Sequence, residues 1–220
     1  DYMRGLLTGS KTDEPKLPPP DVFRKILVEL GPFYVKFGQL LSTRPDLLPP
    51  EYIQSLTALQ AQVPTIAWTE IEPTIRQELT KPLEEVFSKI ETEPIAAGSI
   101  AQIYRATLIT GEELAIKVQR PNISSIVAKD IVLIKGIAEL VSLTEFGQNY
   151  DVLSLAEEFT NAVRSELDFT QEGSYTEQLR SNLAKSSWFD PEKLVVPKIY
   201  WEITTEKLLA IEWLNGQPIL

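Results

Sequence analysis

Residues 94–119, PIAAGSIAQIYRATLITGEELAIKVQ, set the reading of the whole chain. They predict a small-residue loop, a strand, a tight turn at Thr110-Gly111, and a second strand with a lysine near its end. Ile103, Tyr104, Ala106 and Leu108 mix strand formers with alternation. Leu114, Ile116 and Val118 alternate against Glu113, Ala115 and Lys117, the period of a half-buried strand. Ala96, Ala97, Gly98, Ser99 and Ala101 leave the backbone bare enough for a ligand to approach, and consecutive unobstructed amides form an anion-cradling concavity. Lys117 then supplies a compact point charge suited to phosphate. The plainer alternative is a surface hairpin with a solvated Lys117; the alanine-rich loop just upstream argues for the site.

Composition bounds the chemistry. The chain has 220 residues, 43% hydrophobic and 24% charged, room for one good core, or one core with a helical appendage. A net charge of -10 argues against a general nucleic-acid binder, but says little about a compact anion site. There is no cysteine and no histidine, which excludes disulfides, thiolate or imidazole metal ligands, and Ser-His or Cys-His catalysis within this chain. The apolar run Ile131–Leu143 is broken by Lys135 and Glu139, so no segment reads as a membrane span. No signal peptide is visible, and a start at Asp1 rather than Met suggests a piece of something longer.

Residues 1–20, with Gly5, Gly9 and Pro18-Pro19-Pro20, read as a linker or arm. Asp21 caps a predicted helix to Leu30, ended by Gly31-Pro32. A second helix, Pro32 to about Ser42, places Lys36 inside the apolar stripe of Phe33, Phe37, Leu40 and Leu41, with Gln39 on the same side. An ammonium there either snorkels or meets a carboxylate. Gly38 costs about 1 kcal/mol relative to alanine, which points to a close backbone contact. Glu51–Ala61 and Trp68–Thr80 read as further helices, the latter capped by Thr65 or Thr69, followed by a short helix at Leu83–Phe87 and a first strand.

Beyond Arg120-Pro121-Asn122, Ile123–Leu143 reads as a long helix whose apolar face includes Ile126, Val127, Ile131, Ile134, Ala138 and Val141. Gly147-Gln148-Asn149 reads as a loop, and one helix is expected from Val152 to Leu183. Glu166 falls on that helix's seam with Val152, Ala156, Phe159, Val163 and Thr170, and a buried acid needs a cation. Glu166 and Asp168 would lie about 200° apart on an ideal helix, so either the helix is distorted there or the two acids have different jobs. Two strands, Val195–Trp201 and Lys207–Trp213, complete the expectation, joined by a turn near Thr204–Glu206.

The loop-and-lysine stretch, together with VKFGQLLSTRPDLLPPEY (35–52), ELDF (166–169) and IEWLNGQPI (211–219), resembles the UbiB-like atypical kinases, also called aarF-domain kinases. The similarity runs from about Asp21 to the last residue. It implies an α+β fold: a protein-kinase-like upper lobe, a small antiparallel sheet with long helices, preceded by a helical extension. The implied segments are 1–20 arm, 21–84 helical extension with its KxGQ motif, and 85–220 upper lobe ending at the hinge. The resemblance implies ATP with Mg as cofactor, an atypical kinase or ATPase activity, and a link to isoprenoid-quinone or lipid metabolism. Implied partners are membrane lipid or quinone-biosynthesis proteins, in an intracellular setting peripheral to a membrane, with no nucleic acid.

Carried onto these positions, Lys117 contacts phosphate, Ala96–Ala101 covers it, and Glu212–Gly216, with Glu212 and Leu214, forms the adenine hinge. Lys36 and Gln39 of the KxGQ helix pack over the site and occlude protein substrates, Lys36 meeting Glu166 or Asp168. For Lys117 itself Glu166 is favoured as partner, with Glu158 as the alternative. Gly98 stands where the family has a third alanine, and Ala101 replaces a usual glycine; both fall where backbone meets nucleotide. The catalytic-loop Asp, its Asn and the metal-binding Asp have no counterpart here, so no metal ligand is expected in this chain and the piece alone is expected to be inactive. The competing expectation is a non-catalytic interaction module that docks a protein partner or a membrane surface.

Overall fold

A computed structural model describes residues 18–59, 64–144, 147 and 150–216. Of the expected arm over 1–20, residues 1–17 lie outside the described residues, as do Gln148-Asn149 of the expected loop; Pro20 already begins the first helix. The chain divides into two compact units, Asp1–Ala61 and Gln62–Leu220.

The first unit contains α1 (Pro20–Leu30), α2 (Pro32–Leu41) and α3 (Pro50–Thr57). Each begins on a proline, whose fixed φ suits the first helical turn and whose missing N–H is not needed there. The cap of α1 is Pro19 rather than Asp21, which sits in the first turn. Gly31, at φ 109°, ends α1 and opens α2 in a conformation that favours glycine. The buried face of α2 is Phe33, Tyr34, Val35, Gly38 and Leu41, leaving Lys36 and Phe37 half-buried beside it. A Cβ on Gly38 would collide with the Leu59 methyl and lie 2.8 Å from that of Leu27. The close contact expected of Gly38 is therefore with leucine side chains rather than backbone. Gln39 donates its amide to the Leu59 carbonyl at 3.0 Å, tying α2 to the segment after α3.

The second unit is built on an antiparallel sheet of β1 (Phe87–Ile90), β2 (Ala96–Ala97), β3 (Ala101–Leu108), β4 (Glu113–Gln119) and β5 (Leu208–Glu212), in the order β1-β3-β4-β5 with β2 also pairing β3. Strand alternation sends Tyr104, Ala106, Leu114, Ile116, Val118, Leu208 and Ala210 to one core. Helix α4 (Trp68–Glu78) seals that core with Ile71 and Ile75, both fully buried. Its cap is Ala67, without a side-chain bond, in place of Thr65 or Thr69. A one-turn helix α5 (Leu83–Val86) leads into β1. On the opposite face Ala101 and Leu209 pack with Phe169 and Ile199.

Gly111, at φ 99°, makes the β3–β4 turn. Asn122 takes the left-handed conformation that starts α6 (Ile123–Ser142), and α6 packs on α7 (Val152–Glu166). Ile126, expected inside, is exposed, while Val127, Ile131, Ile134 and Ala138 are buried. The single helix expected over Val152–Leu183 is two: α7 stops at Glu166, and α8 runs Phe169–Ala184. Asp168, extended at φ -116° and ψ 94°, caps α8 and turns the chain there. The strand expected over Val195–Trp201 reduces to a single bridge, Ile199 to Ile211. Pro197 in that stretch has no N–H to give to a ladder. No helix among the described residues is long and apolar enough to cross a membrane.

Candidate functional site

Lys117 sits on β4, between Ile103 of β3 and Leu209 of β5. Ala96 of β2 pairs with Ile103, so Ala96, Ile103, Lys117 and Leu209 form one row across the sheet. Directly paired residues present their side chains on the same face, and two strand spacings of about 4.8 Å each separate Ala96 from Lys117. The alanine loop and the lysine thus share one surface.

Between Ala97 and Ala101 the loop is a tight turn in which the Gly98 amide donates to the Ala101 carbonyl at 2.8 Å. Gly98 has no left-handed φ, and a Cβ there would meet only the Ala101 carbonyl at 3.6 Å, an ordinary contact. The Gly98 departure from the expected alanine thus leaves the turn's geometry intact. Ala96 is exposed and Ser99 half-buried. Arg120 buttresses the turn from behind, donating to the carbonyls of Gly98 at 2.9 Å and Pro64 at 2.7 Å. Burial pushes the Arg120 guanidinium below its ordinary value.

The carboxylate that meets Lys117 is Glu172, at 2.6 Å, in place of the expected Glu166 or Glu158. The break at Asp168 is the cause. It ends α7 at Glu166 and starts α8 against the sheet, so the first turn of α8 carries Glu172 to β4, whereas Glu158 is an exposed residue of α7. Phe169, first residue of α8 and buried, lies under the ammonium, 4.7 Å from Nζ to ring centroid. With side-chain exposures of 24% and 46%, an ion pair of this kind contributes about 1 kcal/mol or less to stability. Its effect is to hold the ammonium in place.

Asp168 accepts from the Thr170 amide at 3.0 Å, from the Thr170 hydroxyl, and from the Gln171 side chain at 3.1 Å. The Thr170 hydroxyl, foremost, holds its carboxyl below the usual carboxylate range. The helix is thus broken within the ExD stretch: Glu166 is the last residue of α7, and Asp168 caps α8. Lys36 and Gln39 lie on α2 of the first unit. A cavity of about 490 Å³ opens between α7 and α8, with Ser165, Glu166, Asp168, Glu172 and Tyr175 on its wall.

Three residues beyond Leu209, Glu212 closes β5 and pairs with Leu114. Its amide donates to the Lys198 carbonyl at 2.9 Å and its carboxylate accepts from the Lys198 amide at 3.0 Å. The Trp213 amide donates to the Glu113 carbonyl at 3.0 Å, and Leu214 is exposed beyond it. Among the described residues no group of three or more Asp or Glu is gathered as metal ligands would be.

Sequence reasoning missed Glu172, Phe169, Arg120 and Gln119. Asp168 followed three residues later by Gln171 was the available signal for the helix start, the spacing of a capping box. Gln119 follows Lys117 by two, hence lies on the same strand face.

Comparison with known proteins gives the family. A family model described as ABC1 atypical kinase-like domain matches residues 58–220. An uncharacterized protein of Synechocystis sp. is 61% identical over the whole of this chain, which covers 54% of that protein. The chloroplastic protein ACTIVITY OF BC1 COMPLEX KINASE 3 of Arabidopsis thaliana is 40% identical over 89% of this chain and 27% of its own length. A probable protein kinase UbiB of Cellvibrio japonicus is 36% identical over 97% of this chain and 38% of its own. The chain thus spans about half, or less, of the length of these relatives. A Mycobacterium tuberculosis protein solved in complex with erythromycin shares the fold, with a TM-score of 0.57 at 24% identity over 90% of this chain and 48% of that one. With the family model spanning the entire sheet and the Lys117–Glu172 pair, the chain belongs to the ABC1 atypical kinase-like family.

Proposed function

We propose that this chain forms the phosphate-facing upper part of an ATP site in an atypical kinase or ATPase linked to isoprenoid-quinone or lipid metabolism. The observation that carries the reading is the row Ala96, Ile103, Lys117, Leu209, with Lys117 held by Glu172. A lysine on a sheet strand paired with a helical glutamate is the arrangement that protein kinases use to grip ATP phosphates. The residues fit the group. The turn at Ala96, Ala97, Gly98, Ser99 and Ala101 presents little beyond methyls and one hydroxyl, and Lys117 offers the charge. Glu212 to Leu214 stand at the end of β5, where a purine edge would meet backbone. When bound, ATP would supply the phosphoryl group; the residues here bind and orient it. Mg would accompany the nucleotide, with no ligand set assigned to it among these residues. The quinone link rests on relatives that bear the name UbiB.

The test is the thermal midpoint with and without about 1 mM Mg-ATP. A Kd of about 0.1 mM would stabilise by about 1.4 kcal/mol, which is roughly 3 to 6 °C for a chain of this size. Lys117→Ala should abolish the rise. No rise in the wild type, or an equal rise in Lys117→Ala, refutes the reading.

A second reading, a non-catalytic interaction module, draws support from the exposed apolar residues Leu133, Ile137 and Leu140 on α6, beside Val132 at 74% exposure. It requires that nucleotide leave the midpoint unchanged.

A further inference from the structure

The break between α7 and α8 leaves the Leu167 carbonyl without its helical donor, because the Gln171 amide turns instead to Asp168 at 3.1 Å. Its partner is the side-chain amide of Gln119. The same nitrogen donates to the Glu206 carbonyl at 3.0 Å, and that carbonyl also receives the Phe169 amide at 3.0 Å. Both protons of the Gln119 amide are thus committed to backbone. Its oxygen accepts from the Ser124 hydroxyl at 3.5 Å, and the residue is 1% exposed. One buried amide therefore joins four places: the end of β4, the start of α6, the α7–α8 joint and the turn before β5.

We propose that Gln119 is a positioning residue that sets the start of α8, and through it the Lys117–Glu172 pair. Phe169 is the first residue of α8 and Glu172 its fourth, so both are carried by whatever fixes Leu167 and Glu206. A fully buried glutamine with paired donors acts as a rigid spacer, because without it the Leu167 carbonyl would be left unmet, and the Glu206 carbonyl would keep the Phe169 amide alone. An apolar side chain at position 119 would fill the space yet free the joint, letting α8 slide and the glutamate leave the ammonium. The inference rests on reading that pair as the phosphate end of the site, but it can be tested on the pair itself, without nucleotide.

The experiment is competitive acetylation of lysines on the intact chain, read by mass spectrometry as the labelling of Lys117 relative to exposed Lys89 and Lys193. Glu172→Gln sets the scale for a released Lys117. Gln119→Met, which conserves volume, should raise the Lys117 ratio severalfold towards that of Glu172→Gln. The double variant should label no faster than Glu172→Gln alone. A role in folding alone would lower the thermal midpoint and leave the ratio unchanged; that result, or additive effects in the double variant, overturns the proposal. Should Gln119→Met fail to fold, Ser124→Ala, which removes only the contact to the glutamine oxygen, should raise the ratio by a smaller factor, and no rise overturns it equally. Absence of an Mg-ATP shift would leave this outcome untouched, so the two readings fail separately.

Discussion

Replacing Asp168 by alanine removes the cap that turns α7 into α8. The carboxylate accepts from the Thr170 amide at 3.0 Å, the Thr170 hydroxyl and the Gln171 side chain at 3.1 Å. Loss of such a cap costs about 1 kcal/mol; that corresponds to roughly 2 to 4 °C in the midpoint of a chain of this size. The effect carries a pH signature with a definite sign. The Thr170 hydroxyl and then the Gln171 amide hold the folded carboxyl below its usual range. The unfolded chain titrates near 3.9, a value of about that of free aspartate. A depressed folded value gives stability that is fully present above the unfolded one and is lost as pH falls through the folded one. The gap between wild type and Asp168→Ala, measured by calorimetry, should therefore be constant from pH 7 to about pH 5 and shrink towards pH 3. Asp168→Asn keeps an oxygen for the Thr170 amide but turns an NH2 towards Gln171, so it should fall between the two and show no such shrinkage. A gap that stays constant or widens down to pH 3 would refute the capping argument.

Gly98→Ala should be tolerated, because the added methyl meets only the Ala101 carbonyl at 3.6 Å. Restricting the unfolded chain should raise stability by about 0.4–1 kcal/mol, and a fall in the denaturant midpoint would show that the turn needs glycine. Gly38→Ala should do the opposite. Its Cβ would run into the Leu59 and Leu27 methyls, and overpacking of about 1–3 kcal/mol outweighs the roughly 1 kcal/mol that alanine returns in helix propensity. A stability equal to or above wild type would mean that the two leucines move aside freely.

Local pattern was enough for the β3–β4 hairpin of the second unit, but it put Ala96–Ala97, which form β2, in a loop, and a strand at Val195–Trp201, where one bridge forms. The alternation of Leu114, Ile116 and Val118 and the turn at Gly111 each act over a few residues, and each stands where the spacing puts it. Proline and glycine likewise mark the bounds of α1 and α2, because their effects on φ and on the N–H are intrinsic. The place of Lys117 near the end of β4 follows from these local rules, whereas the α+β architecture came from the family resemblance.

The partner of that lysine does not. Helical periodicity runs on through Leu167 and Asp168, and nothing in the seam of Phe159, Val163 and Glu166 stops it. A continuous helix would keep Glu172 from approaching the strand as it does. The Asp168 cap turns the chain there, and the Leu167 carbonyl left over is met by Gln119, 48 residues earlier in the chain. The carbonyl of Glu206, which takes the Phe169 amide, comes from later still. The same holds for Arg120, whose guanidinium finds its carbonyls at Pro64 and Gly98 only once the sheet has formed. Composition and periodicity thus determined the β3–β4 hairpin, its apolar face and the place of Lys117 on it. Tertiary structure alone decided which glutamate faces it, since buried carbonyls must be paired and the donors that pair them are distant in sequence.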